Sequence, residues 1–251
     1  MTERLAYNPA FPQPDDASVL AWRYMDLAKL LSLVNKRELY LRRLDLLPDK
    51  FEGTFPRRVL AWLTDVYSRS KDSQFTQPSA AEVAKSHLDF ASQTRKQMYV
   101  NCWHLGNHES EAMWRIYCGE DGVAIVLPYI ALRSAISTGN AWIGTVTYLD
   151  YKIDVLGPGN IFRVALHKRE EFSYEREARI VRYEPSPLPP PNDGPPFIAI
   201  AWNTDLIQKI VVNPYAPDWY LATVRETLER LSPGMAGRVV TSDMAGSPEE
   251  L

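Results

Sequence analysis

Phe172-Ser173-Tyr174-Glu175-Arg176-Glu177-Ala178-Arg179-Ile180-Val181-Arg182-Tyr183 sets two carboxylates, Glu175 and Glu177, two residues apart and directly before an apolar run through Ala178, Ile180 and Val181. Read as a strand, this spacing turns both glutamates to one face, because side chains at i and i+2 point the same way. Two like charges on one face repel unless cations, a ligand or water lie between them. Arg176 and Arg179 flank the pair. The stretch therefore admits two readings. One is a solvated strand face with arginine partners. The other is a carboxylate pair at the mouth of a cleft, one member of which orients or activates a substrate hydroxyl.

Upstream, residues 1–17 carry Pro9, Pro12 and Pro14 and form an irregular arm. Val19–Met25 reads as a short strand with Arg23 and Tyr24 near its end, and Asp26 caps a helix whose apolar positions Leu27, Leu30, Leu31 and Val34 recur at helical spacing. Arg37–Arg43 alternates as a strand with Leu39 and Leu41 inward, and Pro48-Asp49 marks a turn. Residues 57–69 repeat Val59, Leu60, Leu63, Val66 and Tyr67 as an amphipathic helix, and Lys71–Gln77 is a polar linker. Ser79-Ala80-Ala81-Glu82 is a capping box that opens a helix running to about Arg95. Met98–Trp103 reads as a buried strand, and Asn107 or Ser110 caps a short helix carrying Met113, Trp114 and Tyr117. Strands follow at Val123–Leu127 and Trp142–Tyr148, with a second helix after Pro128. Pro158-Gly159-Asn160 opens a helix with Ile161, Phe162, Ala165 and Leu166 inward, whose solvated end is Lys168-Arg169-Glu170-Glu171. Pro185–Pro196 holds seven prolines and reads as a stiff exposed loop. Strands at Phe197–Trp202 and Lys209–Val212, a helix over 218–231, a last strand at Val239-Val240 and a tail over 243–251 complete the chain.

Strands and helices mix without strict βαβ alternation. The expected fold is therefore α+β: one domain over 18–242, with a mixed, mainly antiparallel sheet and flanking helices. At 251 residues the chain can bury a full core, and 45% hydrophobic with 24% charged residues is ordinary for a globular protein. A net charge of −3 leaves no global basic field for nucleic acid. The N-terminal sequence has no apolar signal region and no apolar run approaches membrane-spanning length. Cys102 and Cys118 lack metal-site spacing, so a cytoplasmic protein with reduced thiols is expected. His104 and His108 are four apart, but Gly106 and Asn107 place them on a loop, so no metal site is expected.

The order of motifs is more specific than any one of them: a Trp-Arg-Tyr strand, LYLRR, PDKFEG, NCWH, MWRIYCGEDGVAIVL, FSYEREARIV and IQKIVVNP. It resembles the bacterial family of unknown function known as DUF2971 over roughly residues 20–242, most closely in Met113-Trp114-x-x-Tyr117 and Tyr174-Glu175-x-Glu177-x-Arg179. The turn Pro48-Asp49-Lys50-Phe51-Glu52 departs from the Asn-Asp-Pro-Phe-Glu of that family. A looser similarity is to ADP-ribosyltransferases, which commonly place a basic or histidine residue on the first strand and a glutamate or Glu-x-Glu pair before a late strand. Their frequent middle element, Ser-Thr-Ser, is Asn101-Cys102-Trp103-His104 here.

That similarity implies NAD as a substrate, with no metal. Arg23 would hold the pyrophosphate, and Tyr24, Trp114 and Tyr117 would wall the nicotinamide pocket. Glu175 and Glu177 would carry the chemistry, one stabilising an oxocarbenium-like centre and the other serving as base toward a macromolecular acceptor or water. Such an enzyme, transferase or NAD glycohydrolase, would suit bacterial defence or toxin systems. The alternative is a non-catalytic binding or regulatory module with a protein partner, in which both glutamates pair with arginines such as Arg176, Arg179 or Arg182. A third reading is a carboxylate-based nuclease using a divalent ion. In bland terms Arg23 is a salt-bridge partner, and Trp114 and Tyr117 are core or pocket wall.

Overall fold

The computed structural model describes residues 8–69, 79–136, 141–156, 160–185 and 194–246. In chain order the strands are β1 (Leu20–Asp26), β2 (Glu38–Arg43), β3 (Met98–Leu105), β4 (Gly122–Pro128), β5 (Ala141–Thr145), β6 (Thr147–Leu149), β7 (His167–Arg169), β8 (Glu177–Tyr183), β9 (Phe197–Ala201), β10 (Lys209–Val212) and β11 (Val239–Val240). The α-helices are α1 (Leu27–Lys36), α2 (Arg57–Arg69), α3 (Ala80–Thr94), α4 (Glu111–Tyr117), α5 (Tyr129–Ile136) and α6 (Asp218–Leu231). This is the single α+β arrangement that the sequence predicts. Its main sheet is antiparallel except where β10 pairs parallel with β11. Among the described residues no helix is long and apolar enough to cross a membrane.

Local signals place many of these elements. Asp26 caps α1 by accepting the Lys29 N–H at 2.8 Å, and the helix ends where Arg37 turns left-handed at φ 55°. Ser79 and Glu82 form the reciprocal capping box that starts α3. Ser110 caps α4. On α2, Val59 and Leu63 are buried, whereas Leu60 and Val66 stay exposed on the flanks of the stripe. The polar linker 71–77 and most of the proline-rich loop (186–193) lie outside the described residues.

The sheet runs β11-β10-β4-β1-β3-β2-β9, with β8 on the other edge of β3 and β5 beyond it. β3 is the branch point. Along one edge it pairs with β8 from Met98 to His104. Along the other it meets β1 at His104 and Leu105, and β2 at Tyr99 and Val100. Residues 101–103 pair with neither β1 nor β2, so the sheet opens there as a fork.

One face carries the main core. Leu30, Leu33 and Val34 of α1, Tyr129, Leu132 and Ile136 of α5, and Tyr220, Val224 and Leu228 of α6 pack on Leu39, Leu41, Trp103, Ile125, Ile180 and Ile210 of the strands. The opposite face holds two smaller clusters. One gathers Phe11, Leu44, Met98, Val100, Val164 and Val181; the other gathers Trp22, Tyr24, Met113, Trp114, Ala124 and Val126. Between them lies a polar hollow.

Three expectations fail, each at the join into β8. The helix expected after Asn160 is a short 3-10 turn, Ile161–Ala165, capped by Asn160. The strand expected over Trp142–Tyr148 breaks after Thr145, and β6 leaves the main sheet to pair parallel with β7. The Lys168-Arg169 pair is therefore strand rather than the solvated end of a helix, and Lys168 is buried.

Residues 8–17 contain no helix or strand, yet they are pinned. Phe11 is 1% exposed, with Phe162 and Trp142 at ring distances of 4.9 and 5.8 Å. Thr145 N–H donates to Pro12 O at 2.8 Å. Gly144 makes room, since a Cβ there would sit 3.0 Å from Pro12 O and 3.1 Å from Phe11 Cα. Phe11→Ala should therefore cost about 3 kcal/mol or more in chemical denaturation, the usual loss for a buried phenylalanine truncated to alanine.

Candidate functional site

The polar hollow is a cavity of about 330 Å³ lined from β1, β2, β3, α4, the Leu47–Glu52 turn and the Lys168–Arg179 segment. Arg23, Tyr24, Tyr117, Glu175 and Glu177 all line it. Trp114 does not. It is fully buried behind Tyr24, edge-on at 4.8 Å, with its indole N–H donating to Glu109 at 2.9 Å. It supports the wall instead of forming it.

Arg23 reaches the cavity through the fork. Ala21 and Met25 belong to the main core, whereas Trp22 and Tyr24 belong to a cluster of the opposite face, so alternation puts Arg23 on the main-core side. Its guanidinium fills the gap between β1 and β2. There it donates to Cys102 O at 2.8 Å and Asn101 Oδ1 at 2.9 Å and lies 5.9 Å from the Trp103 ring. Asn101, itself buried, donates to Tyr40 O at 2.8 Å and so ties β2 to the same point. Among the described residues no carboxylate pairs with Arg23, so the reading of it as a salt-bridge partner finds no support. Burial lowers its pKa. A guanidinium held by neutral groups retains full attraction for an anion.

The opposite wall is a buried ion network. Glu175 ends a 3-10 turn, Arg176 takes the left-handed conformation at φ 43°, and β8 begins only at Glu177. The strand alternation expected for the two glutamates therefore does not apply, but the turn brings both to the cavity. Glu177 opposes His104 and Arg179 opposes Cys102 across the β3–β8 ladder. Arg179, 0% exposed, donates through Nε to Glu177 Oε2 at 2.6 Å, and its Nη1 is 2.8 Å from Glu52 Oε2. Lys168 Nζ lies 2.5 Å from Glu175, 3.1 Å from Glu52 and 3.6 Å from Glu177. Tyr117 donates to Glu175 Oε1 at 3.0 Å. Arg176 and Arg182 are not the partners of these acids; Arg182 pairs with Glu184.

Three buried carboxylates thus face two buried cations. One excess negative charge is expensive to bury, and a proton removes it. The group that responds is Glu175, whose pKa is raised by burial and then by its hydrogen bond to, and repulsion from, the neighbouring Glu177. Burial would raise Glu177 as well, but the charges of Arg179 and Lys168 outweigh it and hold this carboxylate ionised. Burial also pushes the Cys102 thiol up to about 12, so it is no thiolate nucleophile. His104 is kept neutral by burial, and its Nδ1–H points at Glu175 O at 2.7 Å. A carboxylic acid beside a permanent carboxylate is the arrangement that divides acid–base from electrostatic work.

Glu52, Lys168, Asn101 and His104 escape the sequence reading as site residues, whereas Arg179 is one of the arginine partners expected for the acids and does pair with Glu177. Glu52 carries a local signal, since Gly53 follows at φ 70° and lets the turn fold back under Leu44. Nothing local marks the others. Among the described residues no group of three or more His, Cys, Asp or Glu side chains is placed to hold a metal ion.

Two measurements test the network. Arg179→Leu strands Glu52 and Glu177 and should lower stability by about 3–5 kcal/mol. The raised pKa of Glu175 means that the folded state holds a proton the unfolded chain gives up. Stability should then fall as pH rises from the ordinary carboxylate range through the raised value. Glu175→Gln should abolish that slope in melting-temperature scans, and an unchanged slope would place the proton elsewhere. In comparisons with known proteins, the chain matches no family model, no curated protein and no solved structure.

Proposed function

We propose that the cavity binds NAD and cleaves its nicotinamide–ribose bond, passing ADP-ribose to a macromolecular acceptor or to water, in a cytoplasmic protein akin to the DUF2971 family. The observation that supports this most is the meeting, on one hollow, of an arginine that pairs with no carboxylate among the described residues and two neighbouring glutamates. Arg23 takes a phosphate at the fork. Tyr24 and Tyr117 supply ring walls. At about 330 Å³ the space suits a nucleoside-sized portion of the dinucleotide, the remainder lying toward the open side.

The chemistry follows from the two acids. The C1′–N bond breaks with its electron pair going to the pyridinium nitrogen, which releases neutral nicotinamide. Ionised Glu177 stabilises the cationic C1′. The attacking hydroxyl adds to C1′ and its proton passes to Glu175, which acts once it has lost its own. Activity should thus rise with pH through the raised pKa of Glu175. The order of motifs in the sequence, with Arg23 on the first strand and Glu175-x-Glu177 before a late one, supports the same reading.

A second reading draws on the pairing of Glu177 with Arg179 and Lys168. Acids locked in this way suit a non-catalytic module whose cavity binds a partner's anionic group. Thermal-shift titration separates the two. NAD at 100 times its Kd should stabilise the protein by about 2.7 kcal/mol under the first reading and leave the melting temperature unchanged under the second. Glu177→Gln should cut nicotinamide release about 100- to 1,000-fold; full turnover in that variant would remove Glu177 from the chemistry.

A further inference from the structure

We infer that the Tyr117 hydroxyl is the proton conduit of Glu175, a positioning residue that sets when the buried acid is ionised and carries its proton to solvent. The inference rests on the glycosidic reading above for its catalytic consequence, though not for its geometry. Glu175 is 2% exposed, so a proton taken there needs a route out once a ligand fills the cavity. One carboxylate oxygen, Oε2, is held by Lys168 Nζ at 2.5 Å. The other, Oε1, accepts from Tyr117 at 3.0 Å. Tyr117 is 43% exposed as a residue at the last turn of α4, with its hydroxyl turned inward to the acid, so one half-exposed side chain spans from the surface to the buried carboxylate.

The remaining charged groups around Glu175 offer no such path. Lys168 is buried among Glu52, Glu175 and Glu177 and keeps its proton, because those carboxylates outweigh the effect of burial. Glu177 shares a hydrogen bond with Glu175, but it is itself buried and held ionised against the fully buried Arg179, so it leads no proton outward. His104 meets only the backbone carbonyl of Glu175 through its Nδ1, and burial keeps it neutral.

The step balances without any further reactant. Protonated Glu175 gives its hydrogen to Tyr117 Oη while the phenolic hydrogen passes to water, so the tyrosine is neutral before and after. With Glu175 ionised, the same hydroxyl donates back to it and stabilises the charge. The ring would serve as cavity wall whether or not the hydroxyl were present, so Tyr117→Phe isolates the conduit.

The test compares wild type with Tyr117→Phe in nicotinamide release from NAD, with and without added imidazole, and in the carboxyl carbon-13 titration of Glu175 without substrate. We expect kcat to fall about 100-fold, the lower end of what a positioned proton-transfer group contributes, with KM retained. Imidazole should restore much of the loss, and the Glu175 midpoint should move to higher pH. Unchanged kcat, or a loss that imidazole leaves untouched, overturns the conduit. Should wild type release no nicotinamide at all, the glycosidic reading fails by itself. The titration then decides the hydrogen-bond role, a higher midpoint upholding it and an unchanged midpoint overturning it.

Discussion

Arg179 holds the lower half of the hollow together. Its side chain is wholly removed from water, and it survives there because two carboxylates from distant parts of the chain, Glu52 and Glu177, close on it at 2.8 and 2.6 Å. A buried guanidinium with one partner missing would be strongly destabilising, so the turn that carries Glu52 and the start of β8 must arrive together. Lys168 adds a second cation on the same acids. Once these two charges are in place the third acid, Glu175, is the surplus, and burial beside Glu177 raises its pKa.

The fork in the sheet is the complementary constraint. Had β1 and β2 paired side by side, the edge of β3 over residues 101–103 would be sealed, and Arg23 would lie wholly in an apolar core. The gap lets its guanidinium hydrogen-bond to Cys102 O and Asn101 and face the opposite side of the sheet. The result is a cavity with a cation that pairs with no described carboxylate at one end and, at the other, an acid of raised pKa beside one of lowered pKa. Such a gradient across one hollow orients a ligand that is anionic at one end and hydroxyl-bearing at the other. That supports the proposed cleavage more than any single side chain does.

Legibility tracked the range of the interactions. α1, α3, α4 and α6 carry their start signals or apolar spacing within a dozen residues, so periodicity and capping find them. The segment after Asn160 offers the same apolar types, but its place is decided by packing: Val164, Ala165 and Leu166 must seat against Phe11 and Val181 while His167–Arg169 reaches β6. Lys168 looked like a solvated charge because a run of charged residues such as Lys168-Arg169-Glu170-Glu171 is usually solvated. Its burial depends on acids that the local sequence does not reveal.

What the sequence by itself determined is most of the strands and helices outside 146–176, their mainly antiparallel mixing, and the short list of side chains with chemistry to offer, because these depend on neighbours within a turn or a strand. What only the tertiary structure decided is which charges meet. Glu52 lies 127 residues from Arg179 along the chain, and no periodicity links them. Trp114 lost its place on the cavity wall and Lys168 gained one through packing alone. Electrostatic pairing in a buried space acts through distance and exclusion of water, both properties of the folded chain.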